Sequence, residues 1–482
     1  MLNTHAYKLS DIIVKLHDGQ EFNIKGLVSE FSIYESIDSP AVRCEFLMTD
    51  ANDFINVLRG NENIQLVLTS ESTNQSYSLN HHIYKIGSNF KNERMQQYIL
   101  HTVSIEAINN DRVKVFKTFK GAASSTVKEI VQKSLGSSKK LFIEETKGTF
   151  PFISPSWRPY DAISYLTDKA VRTQSKVASV PQSAFLFFEN RDGIHFESID
   201  GLIEKAKKGT TKTAAKAGAS SSLLKFTYAQ KNVATAASPD SYYTIESIAY
   251  PDKFDIITSM RSGSLGTSLI GIDPLSPNES QLPKSSATAN NTAKEAKGPG
   301  GGDYNIQAKS ADKIWAAFST VGGTNPYPGE NANITGNGQR KRLKFFSDTS
   351  FDAATGTTNT PNLQQSNIAK GNPQTNSSSI ATGSTNKGGQ GQQKQNIIDS
   401  ALYSLLRYQA LQYVKLNITV AGNVAVTVGD VIEVELPAAK QQEKNLPQDR
   451  TFSGYYFVMG VVHIWRPEGV TTSLLISRDS LK

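Results

Sequence analysis

The 482-residue chain has a single cysteine, Cys44, so it can form no internal disulfide and no cysteine-based zinc site. A lone thiol fits a protein assembled in a reducing compartment, with Cys44 serving as a small buried apolar side chain. Histidine is scarce as well, with 7 residues scattered along the chain apart from the neighbours His81 and His82. In a strand these two point to opposite faces, which argues against a shared metal ion even with His101 supplied from a nearby strand. No apolar run reaches the roughly 18 residues that cross a bilayer. The start, Met1-Leu2-Asn3-Thr4-His5, lacks the basic-then-apolar order of an export signal. The expectation is therefore a soluble chain without membrane insertion. Blocks of one charge sign are also missing: 51 Lys plus Arg and 44 Asp plus Glu are interspersed, giving a net charge of +7 that does not require dedicated nucleic-acid binding.

Catalytic patterns are equally thin. No Gly-x-Ser-x-Gly elbow is present, and Cys44 has no histidine near it in sequence. The run Gly298-Pro299-Gly300-Gly301-Gly302 lacks the Lys-Ser/Thr of a phosphate loop. The doublet Glu144-Glu145 reads as solvated surface, and nothing singles out one carboxylate pair for glycoside cleavage. The sequence thus assigns no catalytic, cofactor-binding or metal-ligating residues, implies no cofactor, and favours a protein that is not an enzyme.

Residues 11 to about 108 read as strands. Apolar residues alternate over 11–16 and 20–24 around the turn His17-Asp18-Gly19, and a second pair, 27–37 and 41–48, joins at Asp38-Ser39-Pro40. A helical turn at 51–58 and strands at 63–69, 77–86 and 96–108 complete a barrel or sandwich, with Ile99, Val103 and Ile105 on one face. Residues 113–272 read as α+β. A helix over 124–135 carries Val127, Ile130, Val131 and Leu135 on one stripe, with Thr126 and Glu129 as a capping box. A second helix starts at Pro159, and a buried hairpin turns at Asn190-Arg191-Asp192. Residues 205–222 hold five lysines and no acid, which predicts an exposed basic loop.

Residues 273–396 break the pattern. Of these 124 residues, 74 are Gly, Ser, Thr, Asn, Gln or Pro, and 352–396 contains no aromatic residue, the composition of a chain without its own core. Within it, Trp315, Phe318, Tyr327, Phe345 and Phe346 are the anchors available for docking. From residue 397 a helix places Ile398, Ala401, Leu402, Leu405 and Leu406 on one side. Alternating strands then run to the end and make a second small antiparallel barrel or sandwich. The expected class is α+β, mostly β, in four parts: 1–112, 113–272, 273–396 and 397–482.

Three segments in this order resemble the central baseplate hub protein of contractile-tailed bacteriophages, a family related to the base of type VI secretion spikes. They are Trp157-Arg158-Pro159-Tyr160-Asp161-Ala162-Ile163-Ser164-Tyr165-Leu166, then the hairpin from Phe185 through Asn190-Arg191-Asp192-Gly193 to Ser198-Ile199, then Val428-Gly429-Asp430-Val431-Ile432 with Ser453-Gly454-Tyr455-Tyr456 and Arg478-Asp479-Ser480. The resemblance implies two tail-tube-like β-barrel modules, 1–112 and 397–482, flanking the middle part, and assembly as a homotrimer. Three chains of two modules would form a hollow ring of six that adapts a hexameric tail tube to a trimeric spike. The implied partners are the tail tube or tube-initiator protein, the central spike protein, baseplate wedge proteins, and DNA in passage. The implied location is the tail baseplate of the virion, assembled in the host cytoplasm. The long 273–396 segment departs from the family pattern and reads as an extended arm or peripheral loop. Two alternatives stay open: a spike-base protein of a contractile secretion system, and a hub with peptidoglycan-hydrolase activity.

Overall fold

The computed structural model describes residues 7–70, 75–92, 95–174, 176, 180–208, 223–228, 243–250, 257, 267–272, 317–322, 325–326, 340–345, 350–351, 358–359, 397–411, 414–437, 449 and 452–481. The fold is α+β and mostly β. Eight strands come first: β1 Tyr7–Leu9, β2 Ile13–Lys15, β3 Glu21–Asn23, β4 Val28–Ser36, β5 Arg43–Asp50, β6 Asn63–Ser70, β7 Ser76–Lys91 and β8 Gln96–Val103. They line up as β4-β5-β8-β7-β6-β2-β3, with β1 also pairing β6. Strict alternation along them turns Ile33, Cys44, Phe46, Met48, Leu66 and Leu100 into one core. The stretch 96–108, read from sequence as one strand, ends at Val103, and Ile105–Arg112 forms helix α1. The polar residues that follow Ser104 find their partners from this helix. Asn109 Nδ2 donates to Leu135 O, and Asn110 Oδ1 accepts from Tyr160 N.

The middle part packs helices α2 Ala123–Glu129, α3 Pro159–Thr167 and α4 Ile199–Lys207 with strands β9 Val115–Phe119, β10 Leu141–Ile143, β11 Phe152–Trp157, β12 Phe185–Asn190 and β13 Gly193–Ser198. Pro159 occupies the first turn of α3, where its missing N–H costs nothing. The expected capping box does not form. Ala122 is the cap of α2, Thr126 is buried inside the helix, and Glu129 instead pairs with Lys117 and Lys133 at 2.5 and 3.0 Å. The helix then widens into a π turn over Ile130–Ser134.

Further along come β14 Lys225–Tyr228, β15 Thr244–Ala249, β16 Thr267–Ile272, β17 Asn325–Pro326, β18 Arg340–Phe345, β19 Ser350–Phe351 and β20 Thr358–Asn359, then helix α5 Ile397–Ala410. The chain closes with β21 Val414–Ala421, β22 Val431–Glu435, β23 Gly454–Arg466, β24 Gly469–Arg478 and β25 Ser480–Leu481. Pairing runs β22-β14-β15-β21-β24-β23 and returns from β23 to β22, so six strands close a ring around Phe226, Ile245, Leu416, Ile418, Val434 and Leu474. Two of these strands, β14 and β15, come from the 113–272 stretch, and β14 runs parallel to both neighbours.

Strand β23 joins the two β modules. On one side it pairs β24 along most of its length; on the other it pairs β22 from Gly454 to Phe457 and then β4 from Gly460 to Trp465. The partner changes at a bulge between Val458 and Gly460, where Ile37 N donates to Met459 O at 3.0 Å. The result is one 14-stranded sheet spanning both modules.

Of the basic loop 205–222, residues 205–208 end helix α4 and its turn, and 209–222 lie outside the described residues. Of the anchors in 273–396, Phe318 is described with its side chain and Phe345 lies in β18. Trp315, Tyr327 and Phe346 lie outside the described residues.

Candidate assembly junction

Three clusters of buried charge lie where the parts of this molecule meet. Glu35, on the inward face of β4 and 2% exposed, receives Tyr77 Oη at 2.8 Å, Arg191 N at 2.8 Å and Val428 N at 3.4 Å. It therefore ties the first sheet to the β12–β13 turn and to the loop before β22. Burial pushes its carboxyl up to about 7, against the pull of the Tyr77 hydrogen bond and the Arg191 charge. Arg191 Nη1 donates to Val424 O across the same joint. Asp430, half-buried nearby, is raised to about 6 by desolvation, while Thr427 bonds its carboxyl.

A second joint is centred on Lys139, whose Nζ bridges Glu189 and Glu106, the latter at 2.7 Å. Glu189 Oε2 also accepts from Ser104 Oγ at 2.7 Å and Val42 N at 3.2 Å, locking β12 onto the end of β8 and the start of β5. Burial works against charge on Lys139, yet the two carboxylates outweigh it and raise its pKa.

The third joint is the largest. Arg407 of α5, fully buried, places Nη1 2.6 Å from Asp479 Oδ2 and Nε 3.2 Å from Asp200 Oδ1. Its Nη2 donates to Ser319 O at 3.0 Å, and its guanidinium covers the Phe318 ring at 4.9 Å. Asp200 also accepts from Tyr403 Oη at 2.7 Å and Ser319 N at 2.8 Å. Beside it, Arg172 joins Glu144 at 2.6 Å to Glu204 at 2.8 Å. Burial opposes charge on Arg407, but Asp200 and Asp479 together hold its pKa above the ordinary arginine value. A charge taken from water at such depth is tolerable only with this degree of pairing.

Glu144 and Glu145 separate here. Glu145 is exposed, as the sequence suggests, whereas Glu144 is half-buried and accepts from Ser198 N at 2.8 Å and Ser198 Oγ at 2.7 Å at the start of α4. The three histidines weighed for a metal go to different partners: His81 to Thr102, His82 to Asn61 O and His101 to Glu45. Among the described residues no three of His, Cys, Asp and Glu are grouped to hold a metal ion. Cys44 is fully buried, and burial pushes its thiol well up, which suppresses its reactivity.

The second and third of the resemblance-bearing segments meet at these joints. Ser198 caps α4 through Gly201 N at 2.9 Å, Arg191 and Val428 hold Glu35, Arg478 Nη1 donates to Ser453 O at 3.1 Å, and Asp479 pairs with Arg407. Glu35, Asp200 and Arg407 escape motif reading. Their signal is a charged residue at an inward position of an apolar pattern: Phe31, Ile33 and Glu35 at period two, and Tyr403, Leu406, Arg407 and Ala410 at helical spacing.

No family model matches the chain, and no curated protein matches it. Solved structures similar to it include a tail protein from Neisseria meningitidis MC58, at 11% identity and TM-score 0.49 over 98% of this chain and 97% of that one. The 43 kDa tail protein of prophage MuSo2 from Shewanella oneidensis is similar at 9% identity and TM-score 0.49, over 98% of both chains. A third is the E. coli protein c3393, described as a type VI secretion component with structural similarity to T4 bacteriophage tail proteins gp27 and gp5. It has 8% identity and TM-score 0.37, over 99% of this chain and 77% of that one.

Proposed function

We propose that the chain is a structural hub subunit of a contractile phage tail baseplate. Three copies form a hollow ring that matches a hexameric tail tube on one side and a trimeric central spike on the other. The observation that carries this reading is the single sheet spanning two β modules, joined where β23 passes from β22 to β4. A chain with two rigidly coupled modules, taken three times, offers six similar positions around one axis. In this reading residues 1–112 and 397–482 are the core of the two modules, 113–272 stands beside them and lends β14 and β15 to the second, and 273–396 is an arm. Wedge proteins contact the ring from outside, DNA passes through it, and assembly precedes incorporation into the virion in the host cytoplasm. The role is mechanical and non-enzymatic, and the buried joints stiffen the connector under load.

Light scattering with negative-stain imaging of the purified chain tests the proposal. The expected result is a threefold ring of roughly three times the 52.6 kDa chain mass, with a central hole. A monomer that stays monomeric when mixed with tail fractions overturns it.

A further inference from the structure

Residues 317–322, Ala-Phe-Ser-Thr-Val-Gly, sit inside the low-complexity stretch yet are seated in the third joint. Phe318 is 1% exposed and meets the Tyr403 ring edge-on at 5.2 Å, while Arg407 covers its face. The backbone on either side is held almost atom by atom. Gln182 Nε2 donates to Ala317 O, Lys176 Nζ to Phe318 O at 3.2 Å, and Arg407 Nη2 to Ser319 O; Asp200 accepts from Ser319 N. Ser319 Oγ donates to Glu204 Oε1 at 2.6 Å, Val321 N to Asp479 Oδ1 at 2.8 Å and Gly322 N to Ser480 Oγ at 3.2 Å. Beyond it, β17 adds to β25 by antiparallel pairing. This is a peptide in a fitted socket: one aromatic anchor, with carboxylates and a guanidinium reading its main chain. Vacating the socket would leave Asp200, Asp479 and Arg407 buried with fewer partners, so it demands an occupant.

The occupant's attachment is loose in sequence. Residues 273–316 separate it from β16, and 44 residues allow a reach of up to roughly 145 Å. On the far side 13 residues, 327–339, lead from β17 to β18, which pairs with β16, and they set the shorter reach of roughly 43 Å. A neighbouring copy's socket presents the same side chains, so seating there preserves every one of these contacts and changes only which chain is tied to which. We propose that this latch is exchanged: residues 317–322 of one copy occupy the Asp200–Arg407–Asp479 socket of a second copy, stitching the assembly together. The proposal deepens the ring reading while resting on its own geometry. At the local concentration within a ring, the second copy competes with the chain's own latch.

The test uses two full-length chains, both carrying Cys44→Ala, one with Gly322→Cys and the other with Tyr455→Cys. A Cβ at Gly322 would lie 3.2 Å from the Tyr455 Cβ, close to disulfide spacing, and Tyr455 is 36% exposed, within reach of an oxidant. Neither chain can cross-link internally. Mixed, assembled and mildly oxidised, they are expected to yield a disulfide-linked dimer of the two chains at least tenfold faster than a control pair in which Asp18→Cys replaces Gly322→Cys. Adding Phe318→Ala to the Gly322→Cys chain is expected to slow the reaction at least tenfold, because the socket-bearing copy keeps its own latch and fold. A cross-link no faster than the control, or one indifferent to Phe318, overturns exchange. Light scattering on the same mixture separates the two readings: rings without the cross-link remove exchange alone, and monomers without it remove both.

Discussion

Glu35 shows how one buried carboxylate makes a joint responsive to pH. Its folded pKa of about 7 lies above the ordinary glutamate value of 4.5, so the folded protein keeps a proton that the unfolded chain would release. The stabilisation is therefore complete below about pH 4.5 and is lost as pH rises through 7, a span worth roughly 3 kcal/mol. Asp430, raised to about 6, adds a smaller fall of the same sign. His81 and His463 act oppositely: burial lowers both to about 3, so the unfolded chain binds their protons first and stability falls as pH drops below about 6.5. Urea midpoints measured from pH 4 to pH 9 are expected to peak between these limbs. Glu35→Gln should flatten the alkaline limb by roughly 3 kcal/mol at pH 8 while leaving the acid limb in place. An alkaline limb unchanged by the substitution would remove Glu35 as its source. The alternation Phe31, Ile33, Glu35 made the residue's inward position legible, but its three donors come from residues 77, 191 and 428, which no local pattern connects.

At the scale of elements, the sequence was most legible where a covalent constraint acts locally. Pro159 starts α3, and the Arg191-Asp192 turn of the β12–β13 hairpin falls within the expected Asn190-Arg191-Asp192. It was less legible where partners are distant. Helix α5 buries Tyr403, Ser404 and Arg407 beside the expected Ala401 and Leu406, because Ser404 bonds Ala184 N and Ser183 Oγ, and Arg407 meets its carboxylates. The hairpin offers a direct check. Gly193 has φ of 144°, and a Cβ there would lie 2.1 Å from Lys140 O, the same carbonyl that receives Ile194 N at 2.9 Å. Gly193→Ala must either distort the turn or push β10 off β13. It is expected to lower stability by about 3 kcal/mol, seen as a lower urea midpoint, with faster amide exchange at residues 141–143 and 194–196. Retained protection across β10 and β13 would mean that the close approach is not needed.

The molecule as a whole is tied by contacts far apart in sequence. The closing six-stranded ring needs Lys225–Tyr228 and Thr244–Ala249, its α5 charge needs Asp200, and Phe318 of the low-complexity stretch fills the space between. Strand β23 belongs to that ring at Gly454–Phe457 and to the first sheet from Gly460 onward, so the two modules share one continuous strand. Burial follows the same logic: Val424 and Val470 of the last part sit in the core of the first, and Tyr7 Oη donates to Gly422 O at 2.6 Å. Cooperative unfolding is the consequence, since losing one module exposes apolar surface and unpaired backbone in the other. The full chain is expected to give one calorimetric transition whose van't Hoff and calorimetric enthalpies agree. Residues 397–482 expressed alone are expected to stay unfolded by circular dichroism, because two of the ring's six strands are left behind, together with Asp200 and Phe318 of the cluster around Arg407. A folded 397–482 fragment, or two separated transitions in the whole chain, would show that the modules are independent bodies joined only by a linker, and the rigid coupling on which a six-position ring depends would be lost.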